Sequence, residues 1–330
     1  MQVKPSSTWV HSSLAGHTFS VELEQEVAHL ANAFARQEVE GGQTASLQMS
    51  LGVDQSRVDS ALQGVASGSV HQRQGDVHTW LASQPRHVQR LAHVSSGGTE
   101  TAVATVTFDQ AEGLDGSLRA RPGNEVISAW ATSLGIIPIH ASGIAIGDRA
   151  LLLLGNGGSG KTTTALALAE RGWDLLADDL CFIYQNGPQT KVASLYATAI
   201  VTQDSLPRIQ AGQWEDLGNT HHGKSARRLP PSINMVSEAT LAGVVWVSPN
   251  VGELYKPAAL NRRQALVPLQ AAFAPALQAH GPSANWISHL AGMSRSAPAW
   301  SMRLGWDLDQ IDTTLRYLIS RTSLRDVPDE

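Results

Sequence analysis

From Ala150 to Leu154 every residue is apolar, and the run leads straight into a cluster of glycines. An unbroken apolar stretch of this length predicts a strand buried on both faces. Just before it, "IPIHASGIAIGDR" supplies another apolar run, and Gly147-Asp148 between the two predicts a hairpin. After the glycines, Thr162 to Arg171 reads as a helix, with Gly172 as its stop. The next run, "DLLADD", reads as a strand ending in two aspartates. Upstream, "NEVISAWATSLG" has helical periodicity and stops at Gly135.

Elsewhere the pattern is coarser. Val21, Leu23, Val27, Leu30, Ala31 and Phe34 recur near helical spacing and predict an amphipathic helix over residues 20–40, ending before Gly41-Gly42. "SLQMSLGV" and "TAVATVTFD" read as strands of an irregular N-terminal domain with Pro122-Gly123 as its boundary. "CFIYQNGPQTKVASLY" reads as a hairpin turning at Asn186-Gly187. "LQAAFAPALQAH" and "DLDQIDTTLRYLIS" have the spacing of helices that pack on a sheet, and Trp246, Trp300 and Trp306 stand in apolar, core-like contexts.

Composition narrows the function classes. The 330 residues are 42% apolar, enough for a sizeable core and, at this length, for two domains. A net charge of -5 provides no overall cationic field for nucleic acid or an anionic membrane, so any anion must be held locally. Cys181 is the single cysteine, which rules out an intrachain disulfide, and no Cys/His set has zinc spacing. There is neither a signal-peptide pattern nor a run of about 18 apolar residues, so a cytoplasmic chain without a membrane anchor is expected.

The glycine cluster carries the chemistry. Gly155, Gly160, Lys161 and Thr162 satisfy G-x-x-x-x-G-K-[ST], with Asn156, Gly157, Gly158 and Ser159 between. Glycines let successive backbone N–H groups converge on phosphate oxygens, and the following helix directs its positive end at the same place. In that arrangement Lys161 meets the β- and γ-phosphates, and the hydroxyl of Thr162, followed by Thr163, sits on Mg²⁺. Asp178 and Asp179 come one helix later, and at a strand's C-terminal end they can divide the labour between metal and proton acceptance.

The run from "IHASGIAIGDRALLLLG" through "GSGKTTTALALAERGWDLLADD" resembles the core of the HPr kinase/phosphorylase family, particularly its relatives encoded beside lasso-peptide and other peptide-tailoring genes. The resemblance covers residues 139–184, and more weakly "APAWSMRLGWDLDQI". It implies an α/β fold: a P-loop domain of the HPr kinase/phosphoenolpyruvate carboxykinase type over residues 123–330, with an N-terminal α+β accessory domain for substrate recognition over 1–122. It further implies ATP and Mg²⁺ as cofactors, Asp178 as catalytic base, His140 as its hydrogen-bond partner and Asp179 on the metal side. Homo-oligomers occur in the family.

Two departures matter. The bifunctional members have a glutamate where this chain has Thr163, and a Glu-Ile-Arg-Gly signature that has no counterpart here. Both point away from phosphorolysis and from HPr as acceptor, towards a plain kinase acting on a serine hydroxyl of a protein or precursor peptide. Residues 204–232 read as a polar loop, with Arg208, Lys224, Arg227 and Arg228 suited to phosphate or an acidic peptide. His221-His222 have no third ligand and receive no assignment. A small-molecule hydroxyl kinase, or an ATP-binding regulatory protein of weak activity, are the alternatives. The spacing of P-loop and aspartate suits the first, and Thr163 in place of glutamate the second.

Overall fold

The computed structural model describes residues 7–34, 46–65, 69–83, 86–96, 99–209, 213–249, 256–280, 284–305 and 307–322. The chain forms two compact units. One comprises Met1–Leu134, Tyr196–Thr198 and Asp216–Arg228, and the other Gly135–Leu195, Ala199–Glu215 and Leu229–Glu330.

The first unit is built on strands β1 (Thr8–Leu14), β2 (His17–Leu23), β3 (Leu47–Val53), β4 (Ser69–Gln74), β5 (Val77–Ser83), β6 (Arg86–Ser96) and β7 (Thr99–Phe108). They lie in the order β1-β2-β3-β7-β6-β5-β4, with β2, β3 and β7 mutually parallel and the other pairs antiparallel. Helix α1 (Gln55–Ala61) is capped by Asp54, whose side chain accepts from Arg57 N–H. The helix expected over residues 20–40 does not form over residues 20–34, and residues 35–40 lie outside the described residues. Phe19, Val21 and Leu23 instead share the buried face of β2, and a 3₁₀ segment, Gln25–Ala33, follows. A strand neighbour on each side rewards a period of two more than an isolated helix would reward 3.6. Gly41-Gly42 lie outside the described residues.

The boundary expected at Pro122-Gly123 falls later, after Leu134. Helix α2 (Gly116–Ala120) precedes the expected point and α3 (Asn124–Ser133) lies between it and Leu134, and α3 buries Val126, Ile127 and Trp130 within the first unit. The rings of Trp130 and Phe19 meet edge to face at 5.9 Å. The Tyr196–Thr198 segment is sewn into the same unit: Tyr196 Oη donates to the Pro122 carbonyl at 3.0 Å and Thr198 Oγ1 to that of Ala120 at 2.8 Å.

The second unit contains β8 (Ile137–Ile139), β9 (Ser142–Ile146), β10 (Arg149–Leu154), α4 (Lys161–Ala169), β11 (Asp174–Ala177), β12 (Cys181–Asn186), β13 (Gln189–Ala193) and most of β14 (Thr198–Val201). The excursion back to the first unit forms the hairpin β15 (Asp216–Asn219) and β16 (Ser225–Arg228). The chain then continues through β17 (Glu238–Pro249), β18 (Ala258–Leu260), α5 (Arg262–His280), α6 (Ala284–Ser296), β19 (Ala299–Leu304) and α7 (Leu308–Arg321). The principal sheet has the order β11-β9-β10-β17-β13-β12-β8, with β19 beside the second half of β17.

As the pattern predicts, β9 and β10 form a hairpin, and Leu151 to Leu154 are fully buried. Leu151 and Leu153 face a layer containing α4 and α7, whereas Leu152 and Leu154 face α5 and α6. The β12–β13 turn is Gly187-Pro188, one residue beyond the expected position, since Asn186 still pairs with Gln189. Trp246 and Trp300 are partly buried against opposite faces of this sheet, and Trp306 lies outside the described residues. No helix among the described residues is long and apolar enough to cross a membrane.

Candidate active site

Strands β10, β17 and β19 run parallel. Because β9 is antiparallel to both β10 and β11, β11 points the same way. All four strands therefore deliver their C-terminal ends to one edge of the sheet, where open α/β sheets expose loops to ligands. The phosphate turn leaves β10 there, and Asp178 and Asp179 leave β11. Gly143 on β9 pairs with Leu152 on one side and Ala177 on the other, so the glycine turn and the aspartates start from nearly the same level. Two strand spacings, about 10 Å, separate the two strands.

The turn from Gly155 to Thr162 has the shape its residues demand. A Cβ on Gly155 would lie 2.4 Å from the Val247 carbonyl oxygen and 2.5 Å from Ser159 Oγ, so a side chain cannot be accommodated. Gly160 precedes α4 with φ +95°, a left-handed conformation that favours glycine. Asn156, Gly157 and Gly158 are exposed, and a Cβ at Gly157 or Gly158 would meet nothing within 4 Å, so the rim of the cradle is open. Lys161 is only 6% exposed and folds back over the turn, its Nζ donating to the carbonyls of Gly155 (2.7 Å) and Asn156 (3.3 Å). Ser159 Oγ is buried without a hydrogen-bond partner. An open rim of backbone N–H groups, an enclosed ammonium group, an orphaned hydroxyl and the N-terminus of a nine-residue helix suit a phosphate chain.

The paired aspartates diverge. Asp178 is 3% exposed, and its two oxygens receive separate donors: Ser142 Oγ to Oδ1 at 3.0 Å and Ile200 N–H to Oδ2 at 3.1 Å. Asp179 adopts φ +66°, a left-handed bend that aspartate tolerates better than most residues. Its carboxylate turns away towards His140, whose Nδ1 lies 2.9 Å from Asp179 Oδ1 and 3.1 Å from the Asp179 carbonyl. With two acceptors facing it, Nδ1 is a ring nitrogen that carries a proton. The expectation that His140 partners Asp178 is thus corrected. Consecutive residues at a strand end point to opposite sides, and the bend at Asp179 sends the second carboxylate, not the first, to the histidine.

Thr162 is half-buried at the start of α4. Thr163 Oγ1 lies 2.7 Å from Ser205 Oγ, which is also 2.8 Å from Thr202 Oγ1, so a chain of hydroxyls surrounds Thr163. Among the described residues no group of three or more His, Cys, Asp or Glu side chains is arranged to hold a metal. Mg²⁺ needs no such cage when one or two protein oxygens and phosphate oxygens complete its shell, so Thr162 and Asp179 remain suited to it.

Residues 204–232 do not form one loop. Gln203–Ser205 is a 3₁₀ turn, residues 210–212 lie outside the described set, and β15 and β16 make a hairpin in which Ser225 and Ala226 are buried. Arg208 belongs to the second unit, whereas Lys224, Arg227 and Arg228 belong to the first. Arg227 pairs with Asp216 across the hairpin at 3.4 Å. His221 stands 3.8 Å from Asp115, with no metal set around it among the described residues.

Sequence reasoning missed Ser142 and Ile200. Ser142 offered one signal, a hydroxyl at the head of an otherwise apolar strand. Ile200 offered none, because it contributes a backbone N–H from 22 residues away.

No protein-family model matches the chain, and no curated protein matches it in sequence. Among solved structures, the chain is similar to the Hpr(Ser) kinase/phosphatase from Coxiella burnetii at 14% identity, covering 55% of this chain and 94% of that one, with a TM-score of 0.30. So loose a likeness carries no argument, and the chemistry is argued from the residues.

Proposed function

We propose that this chain is an Mg-ATP-dependent kinase that transfers the γ-phosphoryl group to a serine hydroxyl of a protein or peptide, in the manner of the HPr-kinase-like enzymes its P-loop core resembles. The observation that carries the reading is the shared sheet edge: the phosphate cradle ends β10 and the two carboxylates end β11, one strand apart and at nearly the same level. The first unit serves as the accessory domain that receives the acceptor.

In the reaction the acceptor oxygen attacks the γ-phosphorus, the bond to the β,γ-bridging oxygen breaks and ADP departs. Asp178 takes the hydroxyl proton. Each of its oxygens already accepts one hydrogen bond, and a carboxylate oxygen has a further lone pair to offer. Lys161 exchanges its bonds to the loop carbonyls for phosphate oxygens, so its charge is preorganised and needs little rearrangement. Thr162 and Asp179 would hold Mg²⁺, which would supply charge neutralisation on the phosphates. His140 braces Asp179 from the far side.

The test is phosphate transfer from γ-labelled ATP with Mg²⁺ to the products of neighbouring genes, including any short precursor peptide, with mass spectrometry locating the phosphate. Asp178→Asn is expected to lower transfer by about 10³-fold while leaving ATP affinity nearly intact. Wild-type turnover by that variant would sink the assignment of the base. Transfer only to polyols or hydroxy acids would reassign the chain as a small-molecule kinase, and ATP binding without transfer would make it a regulatory protein.

A further inference from the structure

We propose that Ser142 is a positioning residue for Asp178, fixing the carboxylate together with the Ile200 N–H so that it faces the acceptor hydroxyl in one orientation; this rests on Asp178 being the base. Strand β9 reads Ser-Gly-Ile-Ala-Ile, and Ser142 is completely buried at its head. A hydroxyl in such surroundings is costly unless it is bonded, and alanine would fill nearly the same volume without that cost. The bond it makes is the one to Asp178 Oδ1 at 3.0 Å.

The backbone holds Ser142 in place from both sides. It pairs with Leu153 on β10, and the next residue, Gly143, pairs with Ala177 on β11, the residue immediately before Asp178. Gly143 permits this close approach, since a Cβ there would lie 3.0 Å from Leu176 Cβ and 3.1 Å from Cys181 Sγ. Two donors, one per carboxylate oxygen and from two different strands, stop rotation of the group about its terminal bond. Without the Ser142 hydroxyl, Oδ1 loses the donor that sets its direction. Ser142 lies on β9, whereas the phosphate cradle follows β10, so its loss should act on turnover and leave nucleotide binding alone.

The experiment measures Mg-ATP turnover with water as acceptor, in wild type, Ser142→Ala, Ser142→Thr and Asp178→Asn, together with ATP affinity and melting temperature. Ser142→Ala is expected to lower kcat by about 10- to 100-fold with the KM for ATP unchanged. Ser142→Thr keeps the hydroxyl and should recover to within about threefold of wild type, which a purely space-filling residue would not require. Wild-type kcat in Ser142→Ala, or no recovery in Ser142→Thr, overturns the proposal. If Ser142→Ala is silent while Asp178→Asn collapses, only the role of Ser142 falls. If both are silent, the reading of Asp178 as base falls as well.

Discussion

Residues 155–179 and residues 204–232 both carry the residue types of a phosphate site, and the fold treats them differently. In the first stretch a single turn, one helix and one strand bring a lysine, a threonine and two carboxylates to one edge of one sheet. In the second, four cations that look contiguous are dealt to two units, Arg208 to the second and the three of the β15–β16 hairpin to the first. Proximity in sequence becomes proximity in space only where regular elements of fixed length carry it. A polar stretch without such elements goes wherever its few buried residues are captured.

The comparison breaks first at Lys161. Lys161→Met keeps the buried stem and removes the charge, and is expected to lower phosphate transfer by at least about 100-fold with the fold intact, measured by labelled-ATP transfer beside thermal melting. A loss of threefold or less would mean that the contiguous motif is not the centre of the site.

Next in size is Tyr196, which fastens the Tyr196–Thr198 segment within the first unit. Tyr196→Phe leaves the buried Pro122 carbonyl without its donor and should cost about 1–2 kcal/mol in denaturant unfolding at pH 7. Burial, with the Glu125 carboxylate second in effect, pushes the Tyr196 phenol well above the usual tyrosine range. A raised folded-state value means the native chain keeps a proton that the unfolded chain loses, so this stabilisation is complete below about pH 10 and declines as pH rises further. Tyr184, raised by burial and by its hydrogen bond to Glu238, contributes in the same direction. Tyr196→Phe should therefore flatten the alkaline loss of stability without abolishing it. An unchanged slope would dissociate Tyr196 from the anchoring of the excursion.

The smallest effect sharpens the other half. Arg227 pairs with an exposed carboxylate, and Arg227→Ala should cost only about 0.5 kcal/mol by denaturant unfolding, while Arg208→Ala should leave stability unchanged and lower phosphate transfer several-fold. Equal losses of transfer in both variants would restore the reading of one basic substrate loop.

Legibility follows the same division. The β9–β10 hairpin, the glycine turn, the helix stop at Gly172 and helix α7 were readable, because apolar period and glycine position encode them locally. The strand character of Val21 and Leu23 was not, since helical and strand spacings coincide over so few residues and the neighbours β1 and β3 decided between them. The unit boundary shifted for a related reason: α3 has an ordinary amphipathic pattern, and nothing in that pattern says which sheet it will cover.

By itself the sequence determined that a glycine-rich turn follows a buried strand and that two carboxylates follow one helix later, because backbone conformation and apolar period act over a few residues. Only the tertiary structure decided that Asp178 faces Ser142 and Ile200 while Asp179 faces His140, and that the basic stretch is divided between two units. Those partners come from other strands, and register across a sheet is settled by packing the whole sheet face at once, which no local window of sequence contains.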